Sequence, residues 1–200
     1  MQTLLKLSRA IDRLNDFVGR WIIWLILAST VISGVNAVVR KAFSLSSNAY
    51  LEVQWYLFAA AFLLAAGYTL LNGEHVKIDV IYSRFSRRGQ NLIDIFGFIF
   101  FLLPVCIMLL WLGTPFFLQG FRSGEMSSNA GGLVRWPVYL MIPLGFGLLF
   151  LQGISELVKR IAFHKGLIGD PAEKRVQRSA EEELAEEIRR LAEQQNKGKA

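Results

Sequence analysis

A single cysteine, Cys106, excludes an internal disulfide and any multi-cysteine metal site in this 200-residue chain. Histidine is nearly as scarce. His75 and His164 both fall outside the long apolar runs, so no axial pair is available to hold haem within a bilayer. No nucleophile-base arrangement, phosphate-cradling glycine loop or metal motif appears, and the expectation is a protein that is not an enzyme and carries no cofactor. The most informative absence is charge: residues 21–39, 53–73, 95–121 and 136–155 contain no Asp, Glu, Lys or Arg. An ionisable group buried at mid-bilayer is costly and usually marks a transport path, and none is present, since Glu52, Asp94 and Glu156 lie at the ends of these runs. The chain by itself therefore offers no evident substrate path.

What fills the runs is apolar. Hydrophobic residues make up 53% of the chain and the mean hydropathy is +0.38, too high for an ordinary soluble domain. A hydrocarbon layer of about 30 Å needs roughly 20 helical residues, and each run meets that length. The expected fold class is an all-α integral membrane protein with four transmembrane helices, over about residues 17–40, 51–73, 92–119 and 135–158. These form one membrane domain over residues 1–165, followed by a charged, partly helical tail over 166–200. Lys6, Arg9 and Arg13 before the first run resemble the start of a signal peptide, but the apolar stretch is too long and lacks a small-x-small cleavage site.

The net charge of +6 flanks the apolar runs and is not gathered on one soluble face, which argues against a nucleic-acid partner. Its distribution predicts orientation, because Lys and Arg accumulate in cytoplasmic segments. Lys6, Arg9, Arg13 and Arg20 precede the first span; Lys77, Arg84, Arg87 and Arg88 separate the second and third; Lys159, Arg160 and Lys165 close the fourth. The remaining two loops carry only Arg40 with Lys41, and Arg122 with Arg135, so both termini are expected in the cytoplasm.

Leu4, Leu7, Ile11, Leu14 and Val18 recur at helical spacing and predict an amphipathic helix at the inner surface, able to run into the first span. In the tail, Leu184, Ile188 and Leu191 form a narrow apolar stripe that predicts a helix over 180–194. Ala59, Ala60, Ala61, Ala65, Ala66 and Gly67 in the second span, and Gly145, Gly147 and Gly153 in the fourth, allow close helix approach, either within the chain or to a partner. Pro104 and Pro143 predict kinks. Glu52 opens the second span beside Gln54, Trp55 and Tyr56, where the helix dipole favours a carboxylate and aromatic rings suit the headgroup zone. Asn72-Gly73 predicts the end of that helix.

Three stretches resemble one family. Glu52-Val-Gln-Trp-Tyr-Leu, the alanine-rich span ending Tyr68-Thr-Leu-Leu-Asn-Gly, and Glu74-His-Val-Lys-Ile-Asp-Val80 with Arg84 are similar to the small membrane subunit of tripartite ATP-independent periplasmic (TRAP) transporters. Trp136-Pro137, Ile142-Pro-Leu-Gly145 and the segment from Leu148 to Glu156 look like that family's last span. The resemblance implies a bacterial inner-membrane subunit that braces a large elevator-type membrane subunit. A periplasmic substrate-binding protein would deliver an organic acid, such as a 2-oxo acid, and sodium would bind the large subunit. It marks Glu52, Gln54, Trp55, Tyr56, His75, Asp79, Arg84 and Trp136 as motif or partner-interface candidates, with membrane lipid as the remaining partner. The alternative is a general membrane scaffold or assembly protein without a transport role.

Overall fold

The computed structural model describes residues 2–44, 47–73, 84–169 and 188. His75, Asp79 and nearly all of the tail, including the helix expected over 180–194, lie outside the described residues. The described chain is helical throughout its long elements: α1 (Gln2–Phe43), α2 (Asn48–Asn72), α3 (Arg87–Gly97), a π turn (Phe98–Leu102), α4 (Leu103–Ser123) and α5 (Trp136–His164). With α3, the π turn and α4 running as one span, four helices are long and apolar enough to cross a membrane.

Local chemistry sets the ends. Gly73 takes the left-handed conformation (φ 73°) and its N–H closes on the Leu70 and Thr69 carbonyls, ending α2 where Asn72-Gly73 predicts. The Ser86 hydroxyl caps α3 by accepting from the Gly89 N–H, and Gly124 (φ 60°) ends α4. The turn before Pro104 is a π turn, with the Leu103 N–H reaching back five residues to the Phe98 carbonyl. A proline ring crowds the carbonyl four residues earlier, and a widened turn relieves that contact.

The segment expected to be an interfacial amphipathic helix is the opening of one unbroken 42-residue helix, about 63 Å long at about 1.5 Å per residue. Its inward face is not the leucine stripe. Ser8, Ile11 and Asn15 are buried, whereas Leu4, Leu7 and Leu14 are exposed. In water the apolar face seeks the protein; beside lipid the apolar face can stay outside and the polar one is the face that needs partners.

α5 is the element every other long helix packs against. α1 and α2 pair with each other and with α5, while α4 packs mainly on α5. Glycines permit the approach at the contacts: a methyl on Gly145 would lie 2.6 Å from the Leu63 carbonyl oxygen of α2, and one on Gly153 2.7 Å from the Leu102 side chain. Gly67 and Gly19 likewise lie against Asn15 and Tyr68. Gly19, Gly67, Gly145 and Gly153 thus serve packing within the chain. Leu70, Cys106 and Leu149 make the apolar centre, and most large apolar side chains, among them Trp21, Phe62 and Trp111, face outward as lipid contact requires.

Candidate functional site

The chemistry of the chain is concentrated at its two ends. At the loop end, where α4 stops and α5 begins, residues 125–135 fold back on themselves. Met126 and Val134 form an antiparallel bridge, Ser127 N–H donates to the Leu133 carbonyl (2.9 Å), and Arg135 N–H donates to the Glu125 carbonyl (2.9 Å). Gly131 supplies the positive φ (69°) that the reversal requires.

Three side chains of α2 hold this loop. Glu52 is 1% exposed; its Oε1 accepts from Asn129 Nδ2 (2.9 Å) and its Oε2 from the Leu133 N–H (2.7 Å). Asn48 Nδ2 donates to the Ala130 carbonyl (2.9 Å), and the Tyr56 hydroxyl to the Val134 carbonyl (3.1 Å). Asn48, Glu52 and Tyr56 stand at i, i+4 and i+8, one face of α2. Glu52 does not cap its own helix, which begins four residues earlier at Asn48 with no acidic residue in its first turn; both carboxylate oxygens are engaged by a loop some eighty residues downstream. Trp136 packs edge-on against Phe121 at 5.4 Å, and Glu125 accepts from the Tyr139 hydroxyl (2.9 Å) and pairs with Arg135 (3.3 Å).

At the opposite end, where α1 begins and α5 finishes, charged and polar groups link three helices. Asp12 of α1 accepts from Ser155 Oγ (2.7 Å), Gln152 Nε2 (2.9 Å) and Lys159 Nζ (3.1 Å). Lys159 also meets Glu156 Oε1 at 2.6 Å, and Glu156 Oε2 accepts from Arg160 Nη1 at 3.1 Å. Arg160 continues to Asp94 of α3, with Nη2 at 2.7 Å from Oδ2, and its guanidinium carbon lies 4.9 Å from the Phe98 ring centre. Neutral groups complete the join: Asn15 Nδ2 donates to Gln152 Oε1 (3.0 Å), the Ser8 and Ser155 hydroxyls share a 2.7 Å bond, and Asn91 Nδ2 donates to the Arg160 carbonyl (3.1 Å). Gln152, Ser155 and Glu156 are fully buried. Burying these charges is tolerable because each is paired and hydrogen-bonded.

The remaining candidates from the sequence are dispersed. Trp55 is 45% exposed and stacks edge-on with Tyr56 (4.4 Å), while the Gln54 carbonyl accepts from Ser29 Oγ (3.0 Å) and its side chain lines a groove with Asn36 and Arg40. Arg84 is exposed in the turn before α3. The structure thus brings Glu52, Tyr56 and Trp136 to one end and leaves Arg84 at the other. Sequence reasoning passed over Asp12, Asn15, Asn91, Asn129, Ser155 and Arg160. Part of the signal was present: Ser8, Asp12 and Asn15, and Gln152, Ser155, Glu156 and Lys159, each recur at helical spacing on one face. Among the described residues no group of three or more His, Cys, Asp or Glu is placed to hold a metal ion.

A profile of the family described as tripartite ATP-independent periplasmic transporters, DctQ component, matches residues 29–163. No curated protein and no solved structure matches the chain.

Proposed function

The chain belongs to the DctQ-component family of the tripartite ATP-independent periplasmic transporters, and from that premise we propose that it braces a large membrane subunit and carries no substrate site of its own. The family makes it the small membrane subunit of such a transporter and a transport component rather than an enzyme family. In the proposed arrangement both termini face the cytoplasm of a bacterial inner membrane, and the Glu52-held loop faces the periplasm. Sodium and the organic acid, a 2-oxo acid or related carboxylate, bind the large subunit, to which a periplasmic binding protein delivers the acid. No cofactor is assigned to this chain.

The observation that carries the bracing role is the use made of the buried charge. Asp12, Asp94, Glu156, Lys159 and Arg160 are all spent joining α1, α3 and α5, and Glu52 is spent holding a loop. A substrate or ion path would need such groups free to meet the solute, whereas each of these is paired within the chain, Asp94 and Arg160 with each other where they border a cleft. Trp55, exposed toward the loop end, is proposed as a contact to the large subunit.

Reconstitution tests this. The chain alone in proteoliposomes should move no carboxylate under a sodium gradient, and adding the large subunit and the binding protein should give uptake. Uptake by the isolated chain would overturn the bracing role. Reporter fusions check the orientation, with residue 200 expected inside and residues 125–134 outside.

A further inference from the structure

A cleft of about 540 Å³ opens to the bilayer beside the π turn, between the end of α2 and the α3–α4 span. It is lined by the buried Leu70, Leu149 and Cys106 and the exposed Phe101 and Val105, with the paired Asp94 and Arg160 as its charged residues. Its volume falls within the about 300–1,000 Å³ typical of small-molecule sites, while a helix about 10 Å across cannot enter it. A flexible hydrocarbon chain can.

The charged side of the cleft continues toward the start of α3. Arg87 is seven residues before Asp94 and ten before Gly97, both of which line the cleft, so helical spacing puts it on the same face about 10 Å nearer the aqueous side. Arg84 and Arg88 flank it, and all three are exposed. Hydrocarbon below and cationic side chains above match an amphiphile with an anionic head.

We propose that this cleft holds one acyl chain of a phospholipid from the leaflet at which α3 begins, with its anionic headgroup at Arg84, Arg87 and Arg88. The site belongs to the chain's own fold and does not rest on the transport reading. The lipid fills a gap that α2 and α4 leave by packing mainly on α5 rather than on each other, so it acts as part of the wall on that side.

Gly97 gives a clean test, because a side-chain carbon added there meets no atom within 4 Å and enlarging the residue fills open space. The full-length chain would be extracted into nanodiscs containing phosphatidylglycerol and phosphatidylcholine, and retained lipid counted by native mass spectrometry. Wild type should keep one phospholipid, with phosphatidylglycerol favoured at least about fivefold, the effect of one nearby cation. Gly97→Leu should retain about tenfold less, and Val105→Trp, at a second exposed position in the same cleft, should repeat that loss if the first variant inserts poorly. Arg84→Gln/Arg87→Gln/Arg88→Gln should keep the lipid but lose the headgroup preference. A photo-crosslinker at Ile93 should capture lipid in membranes. Unchanged retention in both filled variants, no headgroup preference in wild type, or capture of a protein helix at Ile93 would each overturn the proposal.

Discussion

At the loop end the buried Glu52 takes neutral donors from a loop and the exposed Glu125 pairs with Arg135 inside that loop, whereas at the opposite end three carboxylates and two cations share one another across three helices. The first arrangement fixes a surface feature to one helix. The second fixes the helices themselves. A loop needs only enough hydrogen bonds to exclude its alternatives, but helices in lipid gain no hydrophobic driving force from meeting one another and depend on packing and polar contacts. The heavier electrostatic investment therefore lies where α1, α3 and α5 must be held together.

The largest expected effect comes from breaking the heavier end. Arg160→Met removes the cation shared by Asp94 and Glu156, which leaves Lys159 as the remaining cation on Glu156, and breaking such a buried pair costs about 3–5 kcal/mol. Thermal unfolding in detergent should show a large fall in midpoint or a failure to accumulate. Asp12→Asn removes the charge that joins α1 to Ser155 and Lys159, and a hydrogen bond to a charged group is worth about 1.5–3 kcal/mol, less here because Asp12 is partly exposed. The same melting experiment should show an intermediate loss, with crosslinking between engineered cysteines on α1 and α5 reduced.

Glu52→Gln tests the lighter end. It replaces one acceptor with a donor facing the Leu133 N–H or the Asn129 amide, so the loop should loosen while the helices stay assembled. Limited proteolysis at residues 125–134 should quicken several-fold with little change in melting. A global collapse in this variant would break the contrast between the ends. The smallest effect is expected for Asp16→Asn, one turn beyond Asp12, whose pair with Arg20 is solvent-exposed and worth about 0–1 kcal/mol. A shift as large as that of Asp12→Asn would mean that position on the helix, and not the contact with α5, governs the cost.

Much of the fold was legible because its cause is a composition rule: uncharged runs of about twenty residues predict spans, and four such helices are present. The site was legible only where its signal is local. Glu52 stands out by opening an apolar helix, but its partners Asn129 and Leu133 are distant in sequence, and no spacing connects them. The polar stripe Ser8, Asp12 and Asn15 was visible too, yet its partners Gln152, Ser155 and Lys159 stand some 140 residues away, and no spacing joins the two stripes. The π turn was hidden for another reason, since Pro104 announces a disturbance without saying how the backbone absorbs it.

That α4 packs mainly on α5 has a consequence in time as well as in space. As the chain leaves the ribosome, α1 and α2 can pair at once, but α4 enters the membrane before its chief neighbour exists. Between Ser123 and His164 lie about forty residues, roughly 2–8 s of synthesis at 5–20 residues per second, during which α4 waits without that neighbour. The Glu52 carboxylate waits longer still for the loop that will occupy it. Assembly of this molecule is thus timed by its last helix, and a nascent chain stalled before residue 136 would hold a paired hairpin and one stray span.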